Sequence, residues 1–136
     1  MFNIRMKVWL LALGVAVLSA PAFGQDYVVV VHSSSDVTVS KSDVANLFLG
    51  KSKGATPVMQ ASSTPAGLAF VKAVLGMSWT QYRSHWSKRM FSGKGYPPER
   101  VKSDADVKAF LAKNKNAIGY VSAKSVDGTV KVILKF

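Results

Sequence analysis

The run Tyr27-Val28-Val29-Val30-Val31 constrains this chain more than any other segment. Consecutive β-branched side chains leave no polar face, so they suit a strand covered on both sides, as in a parallel sheet flanked by helices. His32 to Thr38 is polar and reads as a loop.

Helix signals follow in order. Ser40-Lys41-Ser42-Asp43 has the spacing of a capping box, with Val44, Leu47 and Phe48 as its apolar stripe and Gly50 as its stop. Lys51 to Thr56 is a basic loop, and Pro57-Val58-Met59-Gln60 a short strand. Ala61-Ser62-Ser63-Thr64-Pro65 then turns into a second helix, with Thr64 at N-cap and Pro65 at N1, where a missing N–H costs nothing. Leu68, Val71, Val74 and Leu75 form its expected stripe, and Gly76 ends it. Ser78 to Gln81 is another capping box; Trp79, Tyr82, Trp86 and Met90 share one face of the helix it opens, a pattern read as core.

Phe91 to Lys102, with two Gly and two Pro, reads as a loop of about a dozen residues, long enough to be functional or mobile. Ser103-Asp104-Ala105-Asp106 opens a further helix with Val107, Phe110 and Leu111. Ala117 to Val121 is a strand, Asp127-Gly128 a turn. Val130, Val132, Leu134 and Phe136 alternate as one apolar face of a last strand. The expected order is β-α-β-α-α-α-β-β, an α/β sandwich with a small mixed sheet flanked by helices.

The first residues belong to a different logic. Arg5 and Lys7 precede an apolar stretch from Val8 to Leu18, Pro21 breaks it, and Ala22-Phe23-Gly24 offers a cleavage site. The stretch is about 11 residues, within the signal-peptide range and short of the roughly 20 that span a bilayer. Residues 1–24 therefore read as a signal peptide, with a retained anchor helix as the alternative, and residues 25–136 as one domain exported to the periplasm. The absence of Cys excludes a lipoprotein, a disulfide scaffold, a Cys-ligated metal site and a thiol nucleophile.

The 18 Lys and Arg against 7 Asp and Glu make the chain strongly basic, at +11. An exported protein of that charge meets anions: phosphate-type ligands, glycans, membrane headgroups or an acidic protein; export removes it from nucleic acid. Gly50-Lys51-Ser52 matches the end of a phosphate-binding P-loop, but it follows a helix where that motif follows a strand. His32 and His85 have no second metal ligand at short spacing, and no Ser sits in a nucleophile elbow. No catalytic constellation, cofactor or metal site is expected. The most informative polar segment is Ser62-Ser63-Thr64. It joins the C-terminal end of a strand to a helix N-terminus, where α/β sheets bind ligands and free N–H groups favour an anion. Lys94, between Gly93 and Gly95, is a further candidate anion contact.

Asn46-Leu47-Phe48-Leu49-Gly50-Lys51 and Asn116-Ala117-Ile118-Gly119-Tyr120-Val121, in that order, resemble segments of the phosphate-binding proteins of bacterial ABC importers. The resemblance implies a type 2 periplasmic-binding-protein fold, of which this chain would supply a single lobe. In that family the ligand turn carries Arg, Asp and Ser-Gly-Thr. Gln60 falls on the Arg, Ser62 on the Asp, Thr64 on the Ser, Pro65 on the Gly and Ala66 on the Thr. Only the hydroxyl at Thr64 is kept in kind, and Pro65 lacks an N–H. The bidentate guanidinium grip on phosphate is absent. The reading is therefore a non-enzymatic solute-binding-like protein that takes phosphate or a similar small anion weakly, as an accessory to a membrane transporter or sensor. The alternative is an interaction module with no small ligand, using its basic surface or the 91–102 segment. Nothing in the pattern fixes an oligomeric state.

Overall fold

The computed structural model describes residues 26–136; the expected signal peptide lies outside them. In chain order the elements are β1 (Tyr27–His32), α1 (Lys41–Phe48), β2 (Thr56–Gln60), α2 (Pro65–Ala73), α3 (Trp79–Phe91), β3 (Glu99–Val101), α4 (Asp104–Lys113), β4 (Ala117–Ser122) and β5 (Val130–Lys135), with a short 3₁₀ turn at Ala123–Ser125. The sheet has five strands in the order β3-β2-β4-β1-β5. β2 runs parallel to both β3 and β4, while β1 is antiparallel to β4 and β5. The sheet is thus mixed, and the fold class is α/β.

The valine run behaves as its chemistry requires. Tyr27, Val29 and Val31 face a core shared with α1, α2 and α3; Val28 and Val30 face a second core beneath α4. All five are buried. The parallel neighbours suggested by such a run are absent: both partners of β1 are antiparallel. Helices on both sides impose the burial, whatever the strand direction.

Three other expectations need correction. The 91–102 segment is not all loop: Phe91 ends α3, and Glu99–Val101 pairs with Val58–Gln60. Its charged Glu99 and Arg100 hid it, because a short edge strand held by backbone bonds needs no apolar pattern. β5 does not present one apolar face. A bulge shifts its register so that Val30 pairs with Val132 but Val29 with Leu134. The extra residue, Ile133, flips the alternation: Val130 and Val132 join the α4 core, Leu134 and Phe136 the other. Finally, Leu68 and Met90 are exposed rather than in their helix stripes. α2 buries Phe70 instead, stacked 4.0 Å from Tyr120 and edge-on to Phe48 at 4.6 Å. Such ring pairs are each worth about 0.5–1.5 kcal/mol beyond area burial.

The capping arithmetic fares better. Ser40 with Asp43 and Ser78 with Gln81 form reciprocal capping boxes. Ser103 accepts from the Asp106 N–H without the reciprocal bond. The Asp127-Gly128 turn forms around Asp127, but it joins β4 to β5 across β1 and is no hairpin.

Candidate functional site

β2 and β4 run parallel, so their C-terminal ends share one edge of the sheet. The Ser62–Thr64 turn leaves β2 at this edge, and the N-termini of α2 and α4 both face it through Thr64 and Ser103. The turn is held by the chain itself. Ala61 N–H donates to Val101 O at 2.9 Å, and Thr64 N–H to Ala61 O at 3.0 Å. The Thr64 hydroxyl donates to Ala61 O at 2.8 Å and accepts from Gly67 N–H at 3.0 Å. Its one proton is therefore engaged, and its role in the structure is that of a helix cap. Gly67 lets α2 start hard against the strand: a Cβ there would lie 2.3 Å from Ala61 O and 2.8 Å from Gln60 O.

Ser62 and Ser63 are exposed. Their hydroxyls, their N–H groups and the N–H of Ala66 find no acceptor among the described residues. With Pro65 contributing none, these five donors surround the start of α2, where the peptide dipoles leave a partial positive charge.

Beneath the turn lies a polar network that the sequence did not announce. Gln60 is buried to 2% exposure. Its side-chain amide donates to Asp104 Oδ1 at 2.7 Å and to Tyr120 O at 3.0 Å, and its backbone N–H donates to the Tyr120 hydroxyl at 3.0 Å. The Asp104 carboxylate also accepts from Ser125 Oγ at 2.6 Å and from Ser122 N–H at 3.2 Å. Burial pushes the Tyr120 phenol well above its usual range, against the opposing effect of its bond with Gln60, so it stays neutral. The position that the resemblance matched to a phosphate-gripping Arg thus holds an amide turned inward onto a carboxylate. A polar residue closing the apolar Val58-Met59 run was the available signal, since a buried amide needs partners.

Lys94 is elsewhere. It is exposed and lines a groove of about 360 Å³ with Thr56 and Pro57, which begin β2, and Glu99, which begins β3. The structure brings Ser62, Ser63 and Thr64 together and leaves Lys94 at the opposite end of the strands. The resembling Asn46–Lys51 segment also lies at that far end. There His85 Nε2 donates to Leu49 O at 2.8 Å and Arg89 Nη2 to Gly50 O at 2.8 Å, capping the C-terminus of α1. Gly50 adopts φ +72°, and a Cβ on it would fall 2.6 Å from the Trp86 ring. The aromatic stripe divides: Tyr82 and Trp86 are buried, Trp79 is half-buried and Met90 exposed. Burial moves the Tyr82 phenol up to about 12.

Among the described residues no three His, Asp or Glu side chains cluster as a metal site would need. No protein-family model matches the chain, and no curated protein matches its sequence. Its fold does have solved neighbours. An ABC-type phosphate transport receptor from Vibrio cholerae superposes with TM-score 0.60 at 19% identity, over 79% of this chain and 44% of that one. A protein described as a phosphate ABC transporter substrate-binding protein, with bound phosphate, from Clostridium perfringens gives 0.63 at 16% identity, over 79% and 43%. PstS from Borrelia burgdorferi gives 0.58 at 10%, over 79% and 46%. The shared feature is the fold: this chain matches part of each of these periplasmic-binding-protein-like structures. The chain spans less than half the length of these structures, the extent a single lobe would need.

Proposed function

We propose that this chain is an exported, non-enzymatic, single-lobe binding module that takes phosphate or a similar small anion weakly at the Ser62–Thr64 turn. It would act in the periplasm as an accessory to an ABC phosphate transporter or a sensor. The observation that carries the reading is the set of donors on Ser62, Ser63 and Ala66, left without acceptors around a helix N-terminus. The fold of the neighbours supports the same class. Weak binding follows from the chemistry: no guanidinium grips the anion, Pro65 lacks an N–H, and an open turn leaves the ligand in competition with water.

A thermal-shift titration with phosphate against matched chloride and sulfate tests this. Ligand at a hundred times its dissociation constant stabilises the folded state by about 2.7 kcal/mol. A phosphate-selective rise in Tm is expected, with affinity falling several-fold in Thr64→Ala as the turn loses its cap. Equal response to all three salts would sink the anion site.

A second reading, a protein-interaction module without a small ligand, is favoured by one observation. Asp104 already takes the donors of Gln60, Ser122 and Ser125 at this edge. Its partner would be a membrane transporter or sensor met by the basic surface or the 91–102 segment.

A further inference from the structure

We propose that the end of the molecule opposite the Ser62–Thr64 turn is a docking face for the surface of an anionic phospholipid membrane. Three connections converge there. The α1–β2 loop brings Lys51 and Lys53, the end of α3 and its following loop bring Lys88 and Lys94, and the α4–β4 turn brings Lys113 and Lys115, all exposed. Thr56 N–H bonds Asn116 O at 2.9 Å, which ties the first and third connections side by side. The groove holding Lys53, Arg89, Lys94 and Tyr96 joins the first to the second.

Charge complementarity identifies the occupant. The single ion pair among the described residues joins Lys108 and Asp127, so none of the six lysines has a carboxylate within salt-bridge reach. Glu99 is the only carboxylate lining the groove. Amid these cations stand two aromatic rings that the fold leaves in water, Phe91 at 94% exposure and Tyr96 at 85%, with Met90 beside them at 43%. A protein partner would also take exposed rings, but protein interfaces are depleted in lysine, and here six lysines surround them. Apolar rings projecting among lysines are the arrangement by which an interfacial surface enters the headgroup layer while its ammonium groups stay with the lipid phosphates. The aromatics and lysines lie on the ends of α3 and α4 and on the loops beside them, at one end of the sheet. Half-buried Pro97 and Pro98 limit the freedom of the loop that presents Tyr96.

The chain contains no Cys, so single-cysteine labelling is clean. In the full chain, Ser92→Cys and, separately, Ser62→Cys would carry a polarity-sensitive fluorophore and be mixed with phosphatidylglycerol or phosphatidylcholine vesicles. The apolar 8–18 stretch can itself partition into lipid, so orientation is the readout rather than binding. The expected result is a blue shift at position 92 on phosphatidylglycerol vesicles, little on phosphatidylcholine, and none at position 62. In the background Lys53→Glu, Lys94→Glu, Phe91→Ser, half-maximal shift should need about ten-fold more lipid or beyond. Circular dichroism identical to the parent shows that this background still folds. A label at 92 that stays in water, one that shifts equally with the label at 62, or one indifferent to the three substitutions overturns the proposal. A soluble acidic partner would give the first of these outcomes.

Discussion

The two ends of the sheet handle their polar groups in opposite ways. At the end where β2 and β4 finish, the side chains of Gln60, Thr64, Asp104 and Ser125 are matched to one another or to nearby backbone, and a tight glycine contact seats α2 on the strand. At the end where the same strands begin, lysines stand without carboxylates, and Phe91 and Tyr96 stand in water. The Trp86 and Arg89 Nε groups beneath them are buried without a hydrogen-bond partner, with the Arg89 guanidinium 5.6 Å over the Trp86 ring. A closed network fixes geometry, because each unsatisfied buried group would cost desolvation energy. At the second end Arg89 and His85 cap α1, but the exposed lysines fix nothing internally and are free to answer an external charge. The first end is fixed by its buried network and leaves only the donors of Ser62, Ser63 and Ala66 open; the second presents unpaired lysines and exposed rings.

The largest test of this contrast is Gly67→Ala. Its Cβ would meet backbone rather than the tip of a flexible side chain, so the helix or the strand end must shift. Overpacking of this kind costs about 1–3 kcal/mol, and this contact, against fixed carbonyls, should lie near the top of that range. Denaturant unfolding reads it directly. A loss below about 0.5 kcal/mol would show that the turn is not rigid and that the contrast between the ends is false.

Asp104→Ala comes next. It strips acceptors from the buried Gln60 amide and from Ser122 and Ser125, and removes a carboxylate from the first turn of α4. Gln60 keeps its bond to Tyr120 O, which limits the damage. We expect a loss of about 2 kcal/mol, with Asp104→Asn losing less because it retains one acceptor oxygen. The same variant sharpens the functional question. If the carboxylate repels an external anion at the neighbouring turn, phosphate affinity rises as stability falls. If affinity and stability fall together, Asp104 acts only as scaffold for the turn.

These residues also show where the sequence could be read and where it could not. Helix starts were legible because a cap is a local event: Ser40, Thr64, Ser78 and Ser103 all cap as their spacing predicts. The double-sided burial of Val28–Val31 was legible because no other environment suits four adjacent valines. The direction of β1 was not, since a strand's side chains do not encode its neighbours' polarity. Nor was the bulge at Ile133, which one extra residue creates without changing composition. At the site, the turn was visible but its inward network was not. Gln60 and Asp104 are 44 positions apart, and only the folded sheet brings them to 2.7 Å. Lys94 was misplaced for the same reason: two flanking glycines describe a loop, not the end of the sheet on which it lies.

The smallest effect sits on the β5 side of the basic end, where Lys108 and Asp127 make the ion pair that the six lysines lack. Bonds from the Thr129 hydroxyl, Lys108 and the Thr129 N–H hold the Asp127 carboxyl down to about 2, from 3.8. A carboxyl depressed on folding adds stability that is fully present above its unfolded value and is lost as pH falls through its folded one. Asp127 should therefore help the fold above about pH 4 and cease to help near pH 2. The group is fully exposed, so solvent and salt weaken the effect. Melting curves from pH 5 to pH 2 should fall slightly more steeply for the parent than for Asp127→Asn, and the difference should shrink at high salt. Parallel curves would mean that even the paired charge at this end adds nothing to folding. That outcome would strengthen the contrast, since apart from Arg89, which caps α1, the charges there would then be free to serve contact rather than structure.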